Sequence, residues 1–144
     1  MNTRQDNGFT LLEVLIAIAI FSYGILAVAT MQIRAITGNA SSMKQTNATL
    51  LASKKIEDIM IMGYDMINDN DFDGENGLDD EGFDADGHAF NIKCGGKGTR
   101  YDIYWNVAED VPLTENKTVR LIITWRDEGR HKKAFFDFIK LQGE

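Results

Sequence analysis

The chain has 144 residues and 44% hydrophobic content, enough for one modest domain, and part of that apolar content is concentrated near the N-terminus. Its 22 acidic and 15 basic residues give a formal net charge of -7, which argues against a nucleic-acid partner and favours cation binding. Cys94 is the only cysteine, so an intramolecular disulfide, a thiolate zinc site and a CxxC pair are excluded, and a buried or inert thiol is expected.

An apolar run of 21 residues extends from Phe9 to Ala29 and is interrupted by a single charge, Glu13. At about 1.5 Å per residue, a helix of this length just crosses a hydrocarbon core of roughly 30 Å, so the run is expected to span a membrane. A secretory signal peptide has its cleavage site after a shorter apolar stretch, whereas the only candidate processing site here precedes the run. The span is therefore expected to survive processing.

Glu13 is unusual because an acidic side chain within a span costs about 2.5–3.5 kcal/mol on insertion scales and generally marks function. Phe9 lies four residues earlier on the same helical face. Cleavage between Gly8 and Phe9 would therefore create an ammonium group beside this carboxylate or beside that of a neighbouring chain. The alternative is that Glu13, one turn into the run, extends its carboxylate to the lipid headgroups.

The sequence Gly8-Phe9-Thr10-Leu11-Leu12-Glu13, followed by an apolar helix, resembles the class III signal of type IV prepilins. The resemblance implies that a prepilin peptidase cuts after Gly8 and that Phe9 is then N-methylated. It also implies that Glu13 neutralises the N-terminus of an adjacent subunit during assembly. From residue 8 to about residue 60 the chain is most similar to PilV-like minor pilins, with the I-type pseudopilins of type II secretion close behind.

The sequence departs from the family pattern at two places. The segment before the span lacks the usual cluster of Lys or Arg, which bears on the efficiency of cleavage. Thr30 stands where many major pilins have a helix-kinking proline, which predicts a helix that is less easily melted.

Residues 30–62 are expected to continue the helix, because they contain no Pro and only one Gly, Gly38. Apolar residues recur there at spacings of three and four, which predicts a face that is buried against a sheet. These residues are Ala48, Leu51, Ala52, Ile56, Ile59 and Met60. Gly63 is the expected stop.

An acidic loop follows, with ten acidic residues between positions 65 and 86. Its first part matches the EF-hand template except for Asp in place of Glu at the last position, and it resembles a dockerin-like loop. The predicted calcium ligands are Asp69, Asp71, Asp73, the backbone carbonyl of Glu75, and Asp80. The alternatives are a disordered acidic loop without an ion, or another metal. If calcium binds, its expected role is structural.

The last third of the chain predicts an antiparallel sheet. Three segments are rich in β-branched and aromatic side chains: residues 100–107, 118–125 and 134–141. Residues 89–94 add a shorter candidate strand, and Asp127-Glu128-Gly129 predicts a turn. The aromatic side chains Tyr101, Tyr104 and Trp105 are expected in the core rather than in a ligand platform. His88 and His131 have no recognisable metal spacing, so surface positions are expected.

The predicted fold class is α+β, a type IV pilin fold in which a long N-terminal helix packs on a C-terminal antiparallel sheet of three or four strands. The expected order is a prepilin leader peptide (residues 1–8), a transmembrane and assembly helix (9–29), the amphipathic second half of the helix (30–63), an acidic, calcium-binding loop (64–88) and a β-sheet head (89–144).

No catalytic template is present, so an enzyme is not expected. The resemblance implies a minor pilin that helps to initiate, cap or modify a pilus, anchored once in the bacterial inner membrane with its head in the periplasm and later found in the pilus at the cell surface. Its partners would be other minor pilins, the major pilin, prepilin peptidase and the inner-membrane assembly machinery. The alternatives are an I-type pseudopilin and, from another class, a membrane-tethered calcium-dependent binding module.

Overall fold

The computed structural model describes residues 9–69, 77–82, 85–94 and 98–142. Within them the elements are one long helix, α1 (Leu11–Ile61), a single 3₁₀ turn (Tyr64–Met66) and four strands, β1 (Gly87–Lys93), β2 (Arg100–Glu109), β3 (Asn116–Asp127) and β4 (Arg130–Leu141). The chain divides into two compact units, Met1–Ala40 and Ser41–Glu144. The predicted α+β fold class is confirmed, with four strands in the sheet.

The first unit contains the N-terminal part of α1, and every side chain from residue 9 to residue 40 is exposed. In the described chain, α1 is the one helix long and apolar enough to cross a membrane. Its hydroxyl side chains are satisfied within the helix, because Ser22 Oγ donates to the Ile18 carbonyl and Thr30 Oγ1 to the Ala27 carbonyl, each at 2.7 Å. The helix continues through Thr30 without a break, as the absence of a proline there predicts.

In the second unit, residues 41–61 of α1 pack on one face of the sheet. Ala48, Ala52 and Ile59 are buried at this contact, and Leu51 packs against them from a half-buried position. The two alanines let the helix backbone approach the strands closely, while Ile59 fills the space further along the helix. The buried face is narrower than predicted, because 48% of Met60 is exposed.

The four strands form an antiparallel sheet in the order β1-β2-β3-β4, with β2 and β3 at its centre. Alternate side chains of the two central strands face the helix and form the core: Tyr101, Ile103, Val107, Val119, Leu121, Ile123 and Trp125. The predicted turn between β3 and β4 is confirmed. Its two central residues, Glu128 and Gly129, have φ values of 49° and 78°, as a type I′ hairpin turn requires.

Asp127, at the end of β3, binds the first turns of the helix in this unit. Ser41 Oγ and Lys44 Nζ each donate a hydrogen bond of 2.6 Å to its carboxylate, whose side chain is 8% exposed. Tyr101 Oη donates to the Lys44 carbonyl at 3.1 Å, so the same turn of helix is held from two strands. The hydrogen bonds from Lys44 and then Ser41 hold the pKa of Asp127 below its ordinary value.

Two buried lysines hold the far end of the helix and the turn that follows it. Lys140 Nζ donates to the Met60 carbonyl at 2.7 Å, and Lys117 Nζ donates to the Ile67 carbonyl at 2.6 Å and to Asn68 Oδ1 at 2.9 Å. Each lysine is 6% exposed. Both satisfy carbonyl groups that a helix end or turn would otherwise leave without donors, and they attach the start of the acidic loop to the sheet.

Trp105 explains why β1 begins with a glycine. A Cβ at Gly87 would overlap the indole ring of Trp105, so this strand can approach only where the side chain is absent. Lys55 Nζ lies 3.6 Å from the centroid of a ring of the same indole, and burial lowers the pKa of this lysine.

The substitution Ile59→Ala is expected to destabilise the protein by about 2–5 kcal/mol, because it removes buried methyl groups from the contact between helix and sheet. Ile61→Ala makes the same chemical change two residues away, where 85% of the side chain is exposed. It is expected to change stability by less than about 0.5 kcal/mol. Urea unfolding of the detergent-solubilised chain measures both, and equal losses would contradict the packing described above.

Asp127→Asn is expected to destabilise the head at neutral pH and to have less effect in acid. A carboxylate whose folded pKa lies below its unfolded value contributes stability above that unfolded value, and the contribution disappears as the pH falls through the folded pKa. The difference in melting temperature between the native chain and the variant should therefore shrink as the pH falls below the ordinary value of 3.8. Glu128→Gln, in the exposed turn beside it, is the control and should melt like the native chain. A constant difference at all pH values would contradict this assignment.

Candidate functional site

The first turn of α1 contains the predicted processing and assembly residues Phe9 and Glu13. The backbone N–H of Glu13 donates to Thr10 at its carbonyl (3.1 Å) and at its Oγ1 (3.3 Å), and the N–H of Val14 donates to the same carbonyl at 3.2 Å. Thr10 is therefore the N-cap, and Glu13 occupies the third helical position of the sequence Thr-x-x-Glu. The positive end of the helix dipole favours a carboxylate here.

Phe9 and Glu13 lie on one face of the helix. They line a shallow apolar groove together with Val14, Ala17, Ile18 and Phe21. Both side chains are exposed, with 83% of Phe9 accessible, so the groove is open to a neighbouring chain. The structure thus brings the two predicted residues together as the four-residue spacing requires, while Gly8 lies outside the described residues.

The second half of the acidic loop packs on the face of the sheet opposite the helix. Asn106 is fully buried there, and its Nδ2 donates to the carbonyls of Leu78 at 2.9 Å and Asp80 at 3.0 Å. The carboxylate of Asp86 accepts a hydrogen bond of 2.6 Å from the backbone N–H of Val107. The sheet is therefore covered on both faces, by the helix and by residues 77–86 of the loop as far as they are described.

Ion pairs fix the acidic side chains of this segment. Arg120 donates to Asp79 at 2.7 Å and makes a two-point contact with Asp137 at 2.8 Å, while Lys133 donates to Glu81 at 2.8 Å. The hydrogen bond from Arg120 holds the pKa of Asp137 below its ordinary value. Part of the loop's negative charge is thus neutralised by the sheet.

Two of the five predicted calcium ligands lie in the described chain. Asp69 and Asp80 are half-buried at the two ends of the pattern, and Asp71, Asp73 and Glu75 lie outside the described residues. No group of three or more His, Cys, Asp and Glu side chains that could hold a metal ion occurs among the residues with a described position. The calcium site therefore stays a prediction.

One buried polar atom lies beside this segment. The Oδ1 atom of Asn106 has no hydrogen-bond partner within the described part of the chain, although the Nδ2 of the same amide is bonded to two loop carbonyls. A buried amide oxygen of this kind needs a donor or a cation. Sequence reasoning did not identify Asn106, because nothing in its local pattern shows that a distant loop covers it.

The other candidate residues occupy structural or surface positions. Tyr101 and Tyr104 are buried and Trp105 is half-buried, which confirms that these aromatic side chains pack in the protein. His88 and His131 are exposed, as expected for surface histidines. Cys94 is half-buried against the core, and its reactivity stays a prediction.

Comparison with known proteins identifies the N-terminal segment. The family model of the prokaryotic N-terminal methylation motif matches residues 3–29. No curated protein and no solved structure matches the chain. The motif supports a type IV pilin-like or pseudopilin protein, and it suggests a structural subunit rather than an enzyme. It implies processing by prepilin peptidase and assembly with pilus or secretion machinery, and with the apolar helix it is consistent with anchoring in the inner membrane.

Proposed function

We propose that this chain is a minor type IV pilin that is cut between Gly8 and Phe9, N-methylated at Phe9, and assembled with other minor pilins and the major pilin to initiate, cap or modify a pilus. The observation that carries the proposal is the N-terminal methylation motif at residues 3–29, on a helix whose first turn presents Phe9 and Glu13 on one open face.

The proposed docking step is electrostatic. The free ammonium group at Phe9 of one subunit would pair with the Glu13 carboxylate of the adjacent subunit. Either the incoming subunit or the one already in place could supply the ammonium group. In a hydrocarbon environment each charge alone is costly, so pairing favours the assembled state over the separated subunits. The apolar side chains around Glu13 would exclude water from the pair.

The same motif also supports an I-type pseudopilin of a type II secretion system. A deletion strain separates the two: loss of surface pili with normal protein secretion agrees with the minor pilin, and the opposite result agrees with the pseudopilin.

Mass spectrometry of the mature protein is expected to show an N-terminus at N-methylated Phe9. Glu13→Gln removes the charge with little change in shape, and it is expected to lower incorporation into purified filaments by at least about tenfold, because a charge-assisted hydrogen bond is lost. Incorporation is measured by quantitative immunoblotting of sheared pili.

Glu57→Gln is the matched control, since Glu57 is an exposed glutamate on the part of α1 that lies in the second unit. It should assemble like the native chain. An intact Met1 in the mature protein would remove the proposed processing, and normal incorporation of the Glu13→Gln chain would remove the docking step.

The acidic loop is proposed to bind calcium through Asp69, Asp71, Asp73, the carbonyl of Glu75, and Asp80. Carboxylate and amide oxygens are the ligand types that calcium prefers, and both Asp80 and the unpartnered Oδ1 of Asn106 supply them at the described end of the loop. The hydrogen bonds from Lys117 and Asn106 hold both ends of the loop to the sheet, which lowers the entropy that binding must overcome. Calcium would supply charge neutralisation and order, not chemistry.

Isothermal calorimetry of the detergent-solubilised chain is expected to show calcium binding that disappears in the double variant Asp71→Ala, Asp73→Ala, because two of four side-chain carboxylates are lost. The control is Asp65→Ala, an exposed acidic residue next to the pattern but outside it. Absence of calcium heat in the native chain, or unchanged heat in the double variant, would remove the site.

A further inference from the structure

A row of basic side chains crosses the end of the sheet that contains the β3-β4 turn. Lys93 pairs with Arg100 between β1 and β2, and Arg126 pairs with His131 between β3 and β4. Because Tyr101 pairs with Trp125, the register places Arg100 opposite Arg126. The basic row, Lys93, Arg100, Arg126 and His131, therefore occupies neighbouring positions on all four strands, and all four side chains are exposed.

The ion pairs formed among the described residues do not include the basic row. Like charges directly opposite each other on neighbouring strands are destabilising. Among the described residues, Lys93, Arg100 and Arg126 form no ion pair, in contrast to Arg120, which contacts two carboxylates. Arg130 and Lys132, on either side of His131 in β4, pair with Asp127 and Trp125 and so face the other side of the sheet. On a chain with a formal net charge of -7, such a concentration of positive charge indicates an anionic partner.

A groove of about 590 Å³ lies at the basic row. Its polar lining consists of Asn91, Thr99, Arg100, Asp102, Thr124, Arg126 and His131. The one carboxylate in it, Asp102, accepts a hydrogen bond of 2.8 Å from the backbone N–H of Asn91. Guanidinium and hydroxyl groups arranged around a groove are suited to phosphate oxygens, which accept several hydrogen bonds at once.

The basic row also lies at the end of the head where the chain arrives from the apolar segment. Asp127, in the adjacent β3-β4 turn, is bonded to Ser41 and Lys44 at the start of the second unit. Ser41 follows Ala29, the last residue of the apolar run, by 12 positions. A chain of that length cannot extend beyond roughly 40 Å, so the row is tethered close to any membrane that holds the run.

We infer that the basic row binds the phosphate headgroups of anionic lipids in the membrane that anchors the helix. The inference rests on the proposed membrane anchoring but not on cleavage or polymerisation. The tether raises the effective concentration of lipid at the row, so contacts that are individually weak become significant. The head would be held against the membrane surface until assembly draws the subunit into a filament.

The test uses the full chain in nanodiscs of neutral phosphatidylcholine, with or without roughly 30% anionic phosphatidylglycerol. The rates at which a neutral acylating reagent modifies Lys93 and Lys54 are measured by mass spectrometry. Lys54 is exposed on the helix and serves as the internal reference. We expect the anionic lipid to slow the modification of Lys93 by about threefold relative to Lys54, and about 0.5 M NaCl to reverse the effect, because salt screens the attraction.

Arg126→Glu is expected to abolish the protection of Lys93, whereas Lys54→Glu, which changes the net charge equally, is expected to retain it. Because this control lacks the reference lysine, its Lys93 rates in the two lipids are compared directly. Circular dichroism verifies folding, and Arg100→Glu, at the position directly opposite Lys93, makes the same prediction if Arg126→Glu does not fold. Equal rates in both lipids would overturn the inference. Equal protection by inorganic phosphate in neutral nanodiscs would also overturn it, because that result indicates a site for free anions. Protection in neutral nanodiscs that grows with protein density would overturn it as well, because that result indicates self-association.

These results are independent of the proposed function. Protection by anionic lipid together with an unprocessed N-terminus would overturn the pilin proposal alone, and methylated Phe9 without protection would overturn the lipid inference alone.

Discussion

Alanine at positions 48 and 52 lets the helix backbone lie close to the central strands, and the arrangement of the head depends on this contact. A helix of this size gains most of its stability in water from the face that it buries, not from its intrinsic propensity. The core residues of β2 and β3 provide the complementary surface, and they are almost completely inaccessible. Once helix and sheet are joined, the buried lysines and Asp127 can form hydrogen bonds that would be too exposed to matter in isolated segments.

The features that local patterns determine were predicted correctly. The apolar run, the long helix ending before Gly63, the four strand segments and the turn at Glu128-Gly129 follow from periodicity and from residue preferences that operate over a few positions. The placement of Phe9 and Glu13 on one face of the helix follows from helical spacing alone. These elements could be identified because the physical cause lies within the segment itself.

The features that depend on distant partners were not predicted. The helical spacing predicted a buried face that included Met60, yet 48% of Met60 is exposed. The width of the contact depends on the sheet, which the spacing within the helix does not reveal. The sequence shows that the acidic segment is a loop, but not that Asn106 and Arg120, on strands far along the chain, hold its second half against the sheet. The row formed by Lys93, Arg100, Arg126 and His131 exists only through strand register, since these residues are scattered in the sequence.

The two attachments of the helix to the sheet have a mechanical consequence. Ser41 and Lys44 are bonded to Asp127 near one end of β3, and the Met60 carbonyl is bonded to Lys140 near the far end of β4. Along the helix these points are separated by 19 residues, or about 28 Å. Tension along the helix axis would therefore load the intervening apolar contact in shear across its whole length. The packing contacts and the hydrogen bonds at both ends would then have to break together and not one by one. A helix attached in this way transfers the load to the whole sheet of the second unit without unravelling from either end.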